Sequence, residues 1–170
     1  GWCDWSSDVC SSDLKSALIS SGGNIRAIGK PLDGVRERWG VGIQNPDESI
    51  VPDEQNVLDV IFINDASVAS SGDYMRYYVV NGRVLHHIID PATLMPADYY
   101  RAVTVMTAHA GVADFLSTTL FLLPYEQSRA LAQSLDGVEA AWVMPDGEVK
   151  ASDGMRAIMR SQGASGASAR

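Results

Sequence analysis

Short apolar runs separated by glycine, proline and asparagine recur along most of the chain, and this pattern predicts strands joined by turns. Val57–Ile63 is rich in β-branched residues and predicts a central strand. Asn81 and Gly82 tolerate positive φ and predict a two-residue hairpin turn. The polar, proline-containing segment 48–55 predicts a loop. The other predicted strands are 17–20, 25–29, 39–44, 74–80, 83–89, 100–107, 138–144 and 148–150.

Two helices are predicted after the strand 100–107. The first extends from about His109 to Leu122, and the second starts at Pro124 and extends to Leu135. The first helix carries residues at helical spacing on one face, which we expect to pack against the core. This stripe consists of Val112, Phe115, Leu116, Thr119 and Leu123.

The composition is that of a globular protein. A chain of 170 residues has the size of one ordinary domain, and 46% of its residues are apolar and 20% charged. The formal net charge of −8 argues against an extended nucleic-acid surface, which needs clustered lysine and arginine to neutralise phosphates. No run approaches the roughly 18 apolar residues that a membrane-spanning helix needs. We therefore expect no nucleic-acid partner.

The first fourteen residues differ from the rest of the chain. Residues 4–14 resemble the frame translation of a sequencing-library adapter, and we interpret 1–14 as an artefact of that origin; the alternative is a natural polar arm. Both cysteines lie in this segment, so the remainder gives no indication of redox compartment. Without it, 13 basic residues face 18 acidic ones, a net charge of −5. We interpret residues 15–158 as part of one domain and the Ser/Gly/Ala-rich segment 159–170 as a disordered tail.

The segment from His86 to Thr118 holds most of the candidate chemistry. Neighbouring strand residues point to opposite faces, so at most one of His86 and His87 is expected to face a site. Asp114 and Thr118 stand one helical turn apart and aim a carboxylate and a hydroxyl at one point, as a hard cation requires. The alternative for either histidine is a structural or surface position. The alternative for Asp114 and Thr118 is a polar helix face exposed to solvent. Similarly, the serine-rich segment 64–74 could either bind a phosphate through its N–H groups and hydroxyls or form the end of a strand.

Four motifs, numbered in chain order, follow one another along the sequence. They are Gly22-Gly23-Asn24 with Gly29-Lys30-Pro31; Ser70-Ser71-Gly72-Asp73-Tyr74; His87-Ile88-Ile89-Asp90-Pro91 with Thr93 and Pro96; and Ala113-Asp114-Phe115-Leu116-Ser117-Thr118. Together they resemble the FAD:protein FMN transferases, the ApbE family, over most of residues 16–156. The resemblance implies an α+β fold in which a mainly antiparallel sheet with hairpins packs against helices, truncated on its N-terminal side.

The resemblance also implies an activity: Mg²⁺-dependent transfer of FMN from FAD to a serine or threonine hydroxyl of a target protein, with release of AMP. It places Asp114 and Thr118 at the positions of metal ligands. His87 matches a histidine close to the flavin nucleotide and is the candidate catalytic base, since imidazole exchanges protons near neutral pH. The implied cofactor-binding residues are Ser71, Asp73, His87, Ile88 and Asp90.

The implied partners are FAD and an acceptor protein, a redox protein of the cell envelope that carries a Ser/Thr flavinylation motif. The intact protein is expected at the extracytoplasmic face, held as a lipoprotein by an N-terminal anchor upstream of this chain. Two alternative functions are Mg²⁺-dependent hydrolysis of FAD to FMN and AMP, and flavin binding without turnover. The segment 165–168 also resembles a flavinylation acceptor, which we interpret as coincidence.

Two features depart from the family pattern. The family commonly has glycine where this chain has Leu94, which puts the shape of that loop in question. We find no match for the family's upstream half, which contributes another metal contact and much of the flavin pocket. We therefore expect the 170-residue chain alone to bind FAD weakly or not at all. A titration that gives micromolar or tighter affinity would contradict this expectation.

Overall fold

The computed structural model describes residues 14–46, 57–74 and 76–167. Most of the strands and both predicted helices form where the apolar pattern places them. The strands are β1 (Ala17–Ser21), β2 (Asn24–Ile28), β3 (Trp39–Gln44), β4 (Val57–Ile63), β5 (Ser67–Gly72), β6 (Tyr77–Val80), β7 (Arg83–His86), β8 (Ile89–Asp90), β9 (Met95–Pro96), β10 (Ala102–Thr107), β11 (Glu139–Val143) and β12 (Val149–Ala151). The helices are α1 (Ala110–Phe121), α2 (Tyr125–Ser134) and α3 (Asp153–Ile158), followed by a 3₁₀ helix at Arg160–Gln162.

Six of these strands form one antiparallel sheet in the order β1-β2-β5-β10-β11-β12. Three antiparallel pairs, β3-β4, β6-β7 and β8-β9, accompany it. Helix α1 packs on β5 and β10 in the middle of the sheet. The predicted α+β class, with a mainly antiparallel sheet, hairpins and packed helices, is confirmed.

Two tight turns follow from residues that adopt left-handed backbone conformations. Asn81 and Gly82 have φ of 50° and 75°, as a type I′ turn requires, and the hairpin β6-β7 forms as predicted. Gly22 and Gly23, with φ of 60° and 95°, join β1 to β2. The turn residues therefore account for both hairpins.

The six-stranded sheet buries side chains on both faces. On one face, α1 and α2 cover a cluster that includes Trp142. Its indole nitrogen donates to the Ser128 hydroxyl at 2.8 Å, and that hydroxyl donates to the Leu120 carbonyl at 2.9 Å, so these buried polar groups are satisfied. On the other face, β3, β4 and α3 enclose a second cluster that includes Ile61 and Met155.

The buried face of α1 differs from the predicted stripe. Val112 and Phe115 are 43% and 70% exposed, so their assignment to the core is wrong. Alanine and serine at two buried positions let the helix lie close to β5, and a search for large apolar residues does not anticipate this. The buried residues of α1 are Ala113, Leu116, Ser117, Leu120 and Phe121.

The segment predicted as the central strand forms β4, but its position is not central. Among the described strands, β4 pairs with β3 in a register that runs from Trp39↔Ile63 to Gln44↔Val57. Its side chains Ile61 and Ile63 are buried because β4 packs against one face of the larger sheet rather than within it. The predicted loop 48–55 lies outside the described residues.

The predicted disordered tail is ordered as far as the structure describes it. Met159 forms a β-bridge with Ile61, and the main-chain nitrogen of Glu37 donates to the Gly166 carbonyl at 2.7 Å. The prediction of disorder is therefore wrong for 159–167. Main-chain hydrogen bonds hold much of this segment, and such bonds leave no apolar periodicity in a sequence.

The remaining segment predictions fall outside the described ranges. Residues 1–13, which carry the adapter interpretation, and residues 168–170 are not described, so their assignments stay predictions. No helix within the described residues is long and apolar enough to cross a membrane.

Candidate functional site

Three hydroxyl groups meet where α1 packs on β5. Ser71 lies on β5, and its hydroxyl oxygen is 2.9 Å from that of Ser117 and 3.2 Å from that of Thr118. Ser117 is buried and donates to the main-chain carbonyl of Asp114 at 2.9 Å. These bonds join the second sequence motif to the fourth.

Asp114 and Thr118 are exposed and stand one turn apart on α1. Carboxylate and hydroxyl oxygens are hard donors of the kind that Mg²⁺ uses, with water and substrate phosphates completing its ligand set. Within the described residues, no three His, Cys, Asp or Glu side chains are grouped so as to hold a metal ion. A cation held by this pair would have to take most of its ligands from elsewhere.

The hairpin β6-β7 leads to two histidines with opposite surroundings. His86 is buried, and its Nε2 lies 2.7 Å from the Ala97 carbonyl oxygen. His87 is exposed, and its Nδ1 lies 3.3 Å from the Arg76 carbonyl oxygen. Because a carbonyl can only accept, this contact favours, for the neutral ring, the tautomer that carries its proton on Nδ1. The predicted opposite orientation is confirmed, and His87 is the histidine on the accessible face.

A tight turn held by Asp90 follows His87. The Asp90 carboxylate accepts from the Ala92 nitrogen at 2.8 Å, and its carbonyl accepts from the Leu94 nitrogen at 2.8 Å. Ile88 is buried in the cluster beneath the helices, so its side chain anchors the turn and is not available to a cofactor. Leu94 has a φ of 57°, in the region that favours glycine. The turn therefore keeps a glycine-like shape although leucine occupies the position.

Replacing Leu94 with glycine should stabilise the protein. The leucine side chain is 77% exposed, so little packing is lost. The left-handed conformation costs about 1–2 kcal/mol, of which glycine's freedom in the unfolded chain offsets about 0.5–1 kcal/mol. We expect chemical denaturation to show an unfolding free energy higher by about 0.5–1 kcal/mol. Leu94→Ala, which keeps a Cβ, should show no such rise, and a less stable Leu94→Gly protein would refute this interpretation of the turn.

Asp73 stands at the end of β5 and pairs with Arg101. Its Oδ2 accepts from Arg101 Nε at 2.6 Å, and its main-chain nitrogen donates to the Arg101 carbonyl at 3.0 Å. Its Oδ1 is buried without a hydrogen-bond partner among the described residues. Burial, and secondarily the Asp73 charge, raise the pKa of Tyr74 to about 12, so the phenol stays protonated. Asp73 thus fixes the strand end through Arg101, a residue that the motifs did not indicate.

A cavity of about 150 Å³ lies between the β1-β2 turn and β5. Gly23, Ser70 and Tyr74 line it, so the first and second motifs meet there. A Cβ on Gly72 would stand 2.3 Å from the Tyr74 ring, which explains why glycine occupies this position. Because strand side chains alternate, Ser70 faces this cavity while Ser71 faces α1.

The predicted site residues fall into separate groups. A hydrogen bond joins Ser71 to Thr118 across β5 and α1. The side-chain hydrogen bonds of His87 and Asp90 stay within the hairpin and the following turn. Ser117 belongs to the first group and was missed by sequence reasoning, although it lies within the fourth motif and its spacing from Asp114 is helical.

Comparison with known proteins identifies relatives of the chain. The ApbE family model matches residues 5–142, beginning inside the segment interpreted as adapter-derived. A FAD:protein FMN transferase of Treponema pallidum is 38% identical over 149 residues, which cover 84% of this chain and 40% of that protein. A FAD:protein FMN transferase of Haemophilus influenzae is 37% identical over 122 residues, which cover 71% of this chain and 34% of that protein.

Solved structures share the fold. The crystal structure of the ApbE protein from Thermotoga maritima superposes with a TM-score of 0.72 at 30% identity, covering 84% of this chain and 44% of that one. The flavin transferase ApbE from Vibrio cholerae superposes with a TM-score of 0.66 at 28% identity, covering 89% of this chain and 47% of that one. The chain spans less than half the length of each of these relatives. The family match, the sequence identity and the shared fold together show that the chain belongs to the ApbE family.

Proposed function

We propose that this chain forms part of the catalytic site of an Mg²⁺-dependent enzyme that transfers FMN from FAD to a serine or threonine hydroxyl of a target protein. The name FAD:protein FMN transferase, carried by the curated relatives, supports flavin transfer. The observation that carries the proposal is the hydrogen bond between Ser71 and Thr118, since Thr118 stands one helical turn from Asp114. In the proposed reaction the acceptor oxygen attacks the phosphorus on the FMN side of the pyrophosphate. The bond from that phosphorus to the bridging oxygen breaks, and AMP leaves with the bonding electrons.

Asp114 and Thr118 are the residues that would hold Mg²⁺. When bound, the cation would polarise the phosphoryl oxygens and offset the charge that builds on the leaving phosphate. Both side chains are exposed, and the two-oxygen set leaves positions for substrate phosphate and water. The role of the chain is to hold both donors on one helix, against which β5 is fixed by the Ser71 hydrogen bonds.

His87 would take the proton of the acceptor hydroxyl. Its Nδ1 contact with the Arg76 carbonyl favours the tautomer in which Nε2 can accept that proton. The Asp90 turn would hold the histidine loop in shape. Asp73 and Ile88 would support the wall of the flavin pocket from behind, since one is paired with a neighbouring arginine and the other is buried.

The proposed acceptor and location rest on the family resemblance alone. We propose that the acceptor is a redox protein of the cell envelope carrying a Ser/Thr flavinylation motif. The enzyme would act at the extracytoplasmic face and be anchored by a segment outside this chain.

The test uses a chimera, called here the full-length protein, in which the matching segment, 84% of this chain, replaces the corresponding 40% of the Treponema pallidum relative. It is incubated with FAD, Mg²⁺ and an acceptor domain, and the acceptor is examined for covalent flavin fluorescence after denaturing electrophoresis. We expect a fluorescent acceptor. The label should disappear when the acceptor hydroxyl residue is replaced with alanine, or when EDTA removes the cation, and return with added Mg²⁺.

Two other outcomes would replace the proposal. Free FMN and AMP without a labelled acceptor would assign Mg²⁺-dependent FAD hydrolysis. Bound FAD without any AMP would assign a flavin-binding module without turnover.

A further inference from the structure

The hydroxyls between β5 and α1 form a hydrogen-bonded chain. Ser71, Ser117 and Thr118 each carry one hydroxyl hydrogen. Three contacts each need one: Ser117 with the Asp114 carbonyl, Ser71 with Ser117, and Ser71 with Thr118. Every hydrogen is therefore used once.

The Asp114 carbonyl determines the direction of these hydrogen bonds, because a carbonyl oxygen can only accept. Ser117 donates its hydrogen to Asp114. The 2.9 Å contact between Ser71 and Ser117 then requires the Ser71 hydrogen, since two oxygens at that distance repel without one. The 3.2 Å contact between Ser71 and Thr118 requires the Thr118 hydrogen for the same reason.

This direction determines what Thr118 presents to its surroundings. Its hydrogen points toward Ser71, so the lone pairs of its hydroxyl oxygen are available to a ligand on the exposed side of the helix. Thr119 provides a contrast: its hydroxyl donates to the Phe115 carbonyl at 2.9 Å, the usual local bond of a helical threonine. A hydroxyl oxygen offered one helical turn from the Asp114 carboxylate suits a cation.

We propose that Ser71 and Ser117 are positioning residues that orient the Thr118 hydroxyl so that its oxygen, and not its hydrogen, faces a divalent cation held with Asp114. The proposal rests on the proposed function, because it requires that cation site. Ser117 is 1% exposed and does not reach a cation on the helix surface, so it acts through Ser71.

Mn²⁺ binding to the full-length protein, measured without FAD from the electron paramagnetic resonance signal of free Mn²⁺, tests this proposal. Ser117→Ala frees the Ser71 hydrogen, which can then donate to Thr118 and turn the Thr118 hydrogen outward. We expect Mn²⁺ affinity to fall about tenfold, as when other partners of metal ligands are removed. Ser71→Ala should weaken binding similarly, while Ser71→Thr, which keeps the hydroxyl, should retain it. Thr119→Ala is the matched control and should bind Mn²⁺ as the wild type does.

These variants test the orientation of the Thr118 hydroxyl and the existence of the metal site separately. If Asp114→Ala loses Mn²⁺ while Ser117→Ala and Ser71→Ala bind normally, the orientation is overturned and the metal site stands. If Asp114→Ala binds like the wild type, or the wild type does not bind Mn²⁺, both are overturned. Because Ser71 is only partly buried, Ser71→Ala still decides the matter should Ser117→Ala disturb the packing of α1.

Discussion

Replacing Asp114 with alanine should remove most of the FMN transfer by the full-length protein. The change deletes the carboxylate of the proposed Mg²⁺ pair and leaves a neutral hydroxyl. We expect the rate to fall by about 10²- to 10³-fold, the effect of removing one electrostatic stabiliser from an active site. AMP release should fall in parallel, because both products come from cleavage of the same bond. Since the side chain is exposed, the unfolding free energy should change by no more than about 0.5 kcal/mol.

Two further variants sharpen this experiment. Asp136→Ala removes the same charge from an exposed turn after α2 and should leave the rate unchanged. Asp114→Asn keeps an oxygen donor without the charge and should give an intermediate rate. Full AMP release by Asp114→Ala would exclude the carboxylate from the mechanism.

Replacing Gly29 with alanine should cost the most stability of any change considered. Its φ is 55°, and a Cβ there would stand 2.1 Å from the Lys15 carbonyl oxygen, so the backbone itself must move. That movement disturbs the bond from the Gly29 nitrogen to the Asp65 carboxylate at 2.7 Å and the bond from the Trp39 indole to the Gly29 carbonyl at 3.0 Å. We expect chemical denaturation to show a loss of about 3 kcal/mol or more in unfolding free energy.

Gly22→Ala is the matched control for this experiment. Gly22 has a φ of 60°, close to that of Gly29, but a Cβ there meets nothing within 4 Å. The control should lose only about 0.5–1 kcal/mol, because the smaller freedom of alanine in the unfolded chain offsets part of the cost of the left-handed conformation. The difference between the variants measures the clash, and equal losses would mean that the close contact at Gly29 does not exist.

Local chemistry in the sequence predicts much of this fold. The turn at Asn81 and Gly82 requires positive φ from residues that tolerate it, and Asp90-Pro91 ends a strand because proline has no N–H to donate. Helix α1 begins within one residue of its predicted start, since its apolar spacing is local as well. Features determined within a few residues are therefore readable from sequence.

Features that depend on packing are not readable in the same way. Phe115 belongs to an apolar pattern, yet the close approach of α1 to β5 selects a face with small residues and leaves Phe115 exposed. Ser117 gains its place in the hydroxyl chain from Ser71, which lies 46 positions earlier. The family motifs compensate in part, because they indicate Ser71, Asp114 and Thr118 as site residues without information on the contact between β5 and α1.

The ratio of AMP to acceptor-bound flavin is the most direct test of whether this chain contributes the site for FMN transfer. Both products are measured in one reaction of the full-length protein with FAD, Mg²⁺ and acceptor, by chromatography for AMP and intact mass for the acceptor. We expect equal amounts of AMP and covalently bound FMN throughout the time course. AMP accumulating with free FMN while the acceptor mass stays unchanged would contradict it.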